Sequence, residues 1–124
     1  MSGASRSEVR DFLRDFKRAA LAGQDQTKFE VWSREKNRSA LPELGMTERK
    51  RDQCLLELQP EDYCAGPLPD DDETRGGHVW IFGKEIHGHL VYIKLKIVLE
   101  EPYARAQCLS FHEAKSRLTF PFQE

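Results

Sequence analysis

The apolar positions near the start of the chain recur with a helical period. Val9, Phe12, Leu13, Phe16, Ala19 and Ala20 share one face, with Ser5 and Glu8 at capping-box spacing ahead of them and Gly23 as the stop. This face reads as core scaffold. In TKFEVWSRE, Phe29 and Val31 alternate with Glu30 and Trp32, which predicts a short strand. KNRSALPELGMTERKRDQCLLEL accommodates two short helices. The first ends near Gly45; the second starts at Thr47, a good N-cap, and turns Cys54, Leu55 and Leu58 inward. Pro60 to Asp62 make a turn. From Ala65 to Gly77, AGPLPDDDETRGG has no apolar period and predicts a long loop.

The second half changes period. HVWIFGK, HLVYIKLKIV, AQCLSFH and RLTFPF each alternate and are separated by turn residues, which predicts four strands. The architecture expected is α+β, N-terminal helices packed on a curved antiparallel sheet, in a single domain spanning residues 1–124. In the second of these strands Val91, Ile93, Leu95 and Ile97 point to the core, and Tyr92, Lys94 and Lys96 to the opposite face. In the third, Leu109 and Phe111 sort to one side and Cys108, Ser110 and His112 to the other. Lys84 ends the strand before them, and Arg117 begins the last one.

Composition narrows the function classes. Apolar residues are 39% and charged residues 32% of the 124 positions, a globular composition. Apolar runs fall far short of the ~20 residues that span a bilayer, so no membrane partner is expected. MSGASRSEVR lacks the apolar stretch of a secretory signal, and a cytoplasmic location is expected. A net charge of −2 argues against a protein that coats nucleic acid, and against a DNA-binding regulator, while leaving room for a local basic site. Cys54, Cys64 and Cys108 have no CxxC spacing and read as core thiols rather than zinc ligands. His87 and His89 flank a turn with no carboxylate at ligand spacing, and the run Asp70, Asp71, Asp72, Glu73 lacks the glycine of a calcium loop. No metal or other cofactor is expected.

What remains is the polar strand face. If the strands align, Lys84, Tyr92, Lys94 and His112 converge on one surface. Cleavage of RNA needs a base for the 2′-OH proton, an acid for the leaving 5′-oxygen, and cations for the charge on phosphorus. Unperturbed histidine titrates near ~6.5 and serves either proton role. Tyrosine more readily donates or positions, and lysine supplies fixed charge. Trp80 shares a face with Phe82 and Lys84 and is a candidate stacking platform. Taken alone, such a face is more often a solvated sheet surface.

The same residues carry a family resemblance. ALPELGMTERKRDQCLLELQPEDYCAGP resembles the ELGL … L-x-PEDY segment of MqsR-type toxins. So does the succession VWIFGK, GHLVYIKLKI, CLSFH and LTFPF, from about Ser33 to Phe122. The resemblance implies a RelE-like fold and a metal-independent endoribonuclease that cuts single-stranded mRNA to arrest growth. It also implies a cognate antitoxin as partner, often a helix-turn-helix DNA-binding protein. It places the family's strand tyrosine on Tyr92, the lysine two residues on at Lys94, and the basic residue after "SF" on His112, where the best-known members have lysine. The family's Tyr–Lys pair after "D-F" falls on Cys64 and Ala65, so that lysine is absent and Lys84 is the expected substitute. The expected catalytic set is therefore His112, Tyr92, Lys94 and Lys84, with Arg34 (opening the REKN patch), Trp80, Lys96 and Arg117 binding substrate. The rival expectation is a non-catalytic protein- or RNA-binding module on the same fold.

Overall fold

A computed structural model describes residues 3–21, 30–70, 76–100 and 103–123. The helix stop expected at Gly23, the strand residues before Glu30, and the acidic residues Asp71, Asp72 and Glu73 lie outside that set.

Helix α1 spans Arg6–Leu21. Its capping box forms as the spacing requires: the Ser5 N–H donates to Glu8 Oε1 at 2.8 Å, and the Glu8 N–H to Ser5 Oγ at 3.1 Å. Val9, Phe12, Leu13, Phe16 and Ala20 are its buried face. A two-residue strand β1 (Glu30–Val31) precedes α2 (Glu35–Leu44) and α3 (Glu48–Leu56). Gly45, in the left-handed region at φ 69°, ends α2, with its N–H directed at the Leu41 and Pro42 carbonyls. Thr47 caps α3, accepting from the Lys50 N–H at 3.1 Å.

A 3₁₀ turn at Pro60–Asp62 leads into β2 (Tyr63–Pro69), followed by β3 (His78–Ile86), β4 (His89–Glu100) and β5 (Tyr103–Glu113). The sheet order is β1-β5-β4-β3-β2. All pairs are antiparallel except β1 with β5, so the sheet is mixed and not wholly antiparallel as expected. Helices α1 and α2 lie against β5, and α1 reaches β4. Between helices and sheet, Phe12 stacks on Trp80 at 4.5 Å between ring centroids. Phe16, Leu55, Leu58, Tyr63, Phe82, Ile93, Leu95, Cys108 and Phe111 fill the same core. This is an α+β fold. No helix among the described residues is long and apolar enough to cross a membrane.

Three expectations need correcting. The segment expected as a loop from Ala65 begins as strand β2. Its prolines are tolerated because β2 is an edge, where one row of N–H groups has no ladder to join. The closing strand expected at RLTFPF does not form. The outer strands are β2, punctuated by Pro67 and Pro69, and the two-residue β1, beyond which the β5 backbone is taken by a side chain of α2. The tail instead crosses the sheet over Gly83, where a Cβ would come within 2.7 Å of Leu118 Cδ1 and 2.9 Å of Phe120 Cζ. Phe122 then stacks on Tyr63 at 5.5 Å. Finally, Cys108 faces the core rather than the polar side. Lys94 pairs with Ser110 but Leu95 with Cys108, which leaves Leu109 as one extra residue, a β-bulge that resets the alternation.

Candidate functional site

Cross-strand pairing on β3, β4 and β5 decides which side chains share the face away from the helices. Tyr92 lies between Gly83 and His112, Lys94 between Ile81 and Ser110, and Lys96 between Val79 and Gln107. The Tyr92 and His112 rings are 5.5 Å apart between centroids and tilted by 30°. Both are half-buried, as is Lys94. His112 Nδ1 lies 3.1 Å from the Glu113 carbonyl oxygen. A carbonyl only accepts, so the proton of the neutral ring sits on Nδ1 and the lone pair on Nε2. The arrangement therefore joins one proton acceptor, one phenol and one ammonium.

The bulge that aims His112 is held from outside the sheet. Asn37, in the first turn of α2, is 5% exposed. Its Nδ2 donates to the Trp32 carbonyl at 2.9 Å and the Leu109 carbonyl at 3.1 Å, and its Oδ1 accepts from the Phe111 N–H at 2.9 Å. The bulged backbone is thus satisfied by a side chain where ladder bonds stop. Sequence reading missed Asn37; the only signal was an asparagine inside a helical segment, where it is a weak helix former.

The remaining expected residues separate. Lys84 does not join Tyr92 and His112. It pairs with Val91 on the helix side of the sheet and makes an ion pair with Asp62 at 3.4 Å. Its face was read correctly as that of Trp80 and Phe82; the register of β3 against β4 puts that face on the core. Trp80 stacks against Phe12 and is core packing rather than a platform. Lys96 is on the Tyr92 face but 3% exposed, with Nζ donating to Asp70 Oδ2 and to the Gly76 carbonyl, each at 2.7 Å. The two partners border the acidic run in sequence, and the ammonium is spent on holding them. Arg117 is exposed on the tail, outside any strand.

Arg34 is the N-terminal flank of α2, its guanidinium carbon 4.7 Å from the centroid of the Trp32 ring. Lys36, the second residue of α2, has its pKa lowered first by the Lys115 side chain as hydrogen-bond partner, then by the Lys115 charge, with Arg34 adding to it. Arg34, Lys36 and Lys115 thus form a cationic group at the end of α2 that Asn37 ties to β5. Sequence reading missed Lys36 and Lys115, which are eighty residues apart in round terms and meet only through the fold.

The histidines of the β3–β4 turn are engaged elsewhere. His87 Nδ1 meets the Leu44 carbonyl at 2.7 Å, and His89 Nδ1 meets Glu113 Oε2 at 3.1 Å. The cysteines offer no nucleophile: burial pushes Cys54 up to about 11 and Cys64 and Cys108 up to about 12.

Comparison of the chain with family models, with curated proteins and with solved structures yields no match in any of the three.

Proposed function

We propose that this chain is the toxin of a type II toxin–antitoxin pair, a RelE-like, metal-independent endoribonuclease that cleaves single-stranded mRNA in the cytoplasm and is neutralised by a cognate antitoxin protein. The observation that carries the reading is the Tyr92–His112 pair with Lys94 on the same face. The sequence resemblance supports it, since the family's strand tyrosine, lysine and post-"SF" residue fall on these three positions.

In the proposed reaction, His112 Nε2 takes the proton of a substrate 2′-OH as its oxygen attacks the adjacent phosphorus. The bond from phosphorus to the 5′-oxygen breaks, and the Tyr92 hydroxyl donates to that oxygen. The products are a 2′,3′-cyclic phosphate and a 5′-hydroxyl, and the imidazolium returns its proton through solvent to the Tyr92 phenolate. Lys94 neutralises the charge on the non-bridging oxygens. Acid–base assistance of this kind is worth about 10² to 10⁴-fold.

One observation favours a second reading, a non-catalytic binding module. Two of the expected cations, Lys84 and Lys96, are occupied by Asp62 and Asp70. Induced expression of wild type beside a His112→Ala, Tyr92→Phe double variant, with RNA 5′-end mapping, decides between them. Growth arrest and new 5′-hydroxyl ends with wild type alone support the ribonuclease. Equal arrest by both proteins overturns the site. No arrest and no new ends transfer the assignment to the binding module.

A further inference from the structure

A second recess lies behind the β5 edge, on the far side of Asn37 from the Tyr92–His112 pair. It is a cleft of about 520 Å³ between the β1–α2 connection, α2 and the start of α3, a size ordinary for small-molecule sites. Its walls bring together an indole (Trp32), two guanidiniums (Arg38 and Arg51), a carboxylate (Glu48) and the Asn37 amide. The guanidiniums are held in place. Arg38 Nη1 donates to the Ser33 carbonyl at 3.1 Å and to Ser33 Oγ at 3.0 Å. Arg51 is braced by Asp52, its Nε and Nη2 at 3.1 and 3.0 Å from Oδ1. Both Arg38 bonds use Nη1, and its other N–H donors lie in the same rigid plane. Arg34 over the Trp32 ring adds positive charge to the rim.

Asn37 links this cleft to the candidate site. Its amide nitrogen holds the Trp32 carbonyl in the cleft wall, and its oxygen holds the N–H of Phe111, the residue before His112. Asn37 thus stands between a residue that lines the cleft and the residue that precedes His112 in β5.

We propose that this cleft is the subsite for a nucleotide flanking the cleaved bond of a single RNA strand, and that the Glu48 carboxylate reads the edge of its base. The proposal rests on the ribonuclease reading for its substrate class. Splayed single-stranded bases are recognised by packing on aromatic or guanidinium planes and by hydrogen bonds at their edges. The Trp32 wall and Arg38 provide the planes, Arg34 attracts the phosphates, and the Glu48 carboxylate, an acceptor only, takes N–H from the base edge, one from adenine, cytosine or uracil and two from guanine. In contrast to the cationic group of Lys36 and Lys115, which has charge alone, the cleft has charge, an aromatic wall and an edge-reading acceptor together.

The test is binding of short fluorescein-labelled oligoribonucleotides (oligo-A, oligo-C and oligo-U) to the His112→Ala protein by anisotropy, with Arg38→Ala and Glu48→Gln added in turn and each fold checked by circular dichroism. Arg38→Ala is expected to weaken oligo-A binding at least about fivefold. Glu48→Gln, which adds a donor where there was only an acceptor, is expected to change the order of affinity among oligo-A, oligo-C and oligo-U at least about threefold. Affinity unchanged within twofold in Arg38→Ala, or an order among bases unchanged by Glu48→Gln, overturns the subsite. Wild-type protein that cleaves RNA with neither response leaves the ribonuclease standing and sinks the subsite. Both responses in a wild type that never cleaves sink the ribonuclease and leave the cleft as an RNA-binding site only. Absence of RNA binding overturns both.

Discussion

Asn37 Oδ1 accepts the N–H of Phe111 at 2.9 Å, and through that bond a helix sets the direction of the next residue, His112. Asparagine does this where a shorter or apolar side chain would not, because one amide both donates to Leu109 and accepts from Phe111. Asn37→Ala leaves the Phe111 N–H and Leu109 carbonyl without partners in a buried setting, at a cost of about 1–3 kcal/mol for each group left unsatisfied. The expected result is a urea midpoint lowered accordingly, with cleavage impaired beyond the loss of folded protein. Asn37→Asp keeps the acceptor and loses the donor, so it is expected to fall between the two. Equal stability of wild type and Asn37→Ala would remove the bulge-holding role.

Lys84 and Lys94 provide an internal contrast. They have the same chemistry but lie on opposite faces of the sheet, Lys84 beside Asp62 and Lys94 beside Ser110. Lys84→Ala is expected to change stability by at most about 1 kcal/mol, the range of partly exposed ion pairs, and to leave cleavage intact. Lys94→Ala is expected to lower kcat by about 10²-fold or more with little change in the melting temperature. A reversed pattern in steady-state kinetics would return Lys84 to the site.

How far the sequence reaches is visible in these residues. Local signals are reliable where the cause is local: the Ser5–Glu8 box, the Gly45 stop and the Thr47 cap depend on neighbours within four positions. Alternation also gave the shared face of Tyr92 and Lys94, and that of Trp80, Phe82 and Lys84. It cannot relate one strand's faces to another's, because register belongs to the pair. Lys84 was misplaced for that reason. Cys108 was misplaced because a bulge shifts parity by one, and this bulge is held by an asparagine more than seventy residues away in sequence. RLTFPF alternates like a strand, but forming one requires an available edge, and edge supply is a property of the assembled sheet.

Lys96 and Asp70 form a pair that neither residue can leave alone. Their side chains are 4% and 2% exposed and 2.7 Å apart. Removing one partner strands the other charge in a dry setting, so Lys96→Met or Asp70→Leu alone is expected to destabilise by about 3–5 kcal/mol. The double variant Lys96→Met, Asp70→Leu removes both charges and is expected to recover most of that loss. Chemical denaturation of the three proteins forms a double-mutant cycle. Single variants as stable as wild type would mean that the pair is hydrated and that Lys96 is available to substrate.

The thiols give the protein a defined alkaline limit. Burial raises Cys54 from 9.0 to about 11, and Cys64 and Cys108 from 9.0 to about 12, so the fold favours the neutral thiol. In the unfolded chain these groups release protons at lower pH than in the folded one. Their contribution is therefore fully present below pH 9 and is lost as the pH rises from 9 toward about 12. Two measurements check this. Labelling with a thiol-specific reagent at about pH 8 is expected to be much slower in native protein than in urea, since the thiolate is the reacting form. The urea midpoint is expected to fall between about pH 9 and 11 more steeply in wild type than in a Cys54→Ala, Cys64→Ala variant, which lacks two of the three linked protons. Rapid native labelling at all three positions, or equal slopes in the two proteins, would show that the thiols titrate as they do in water.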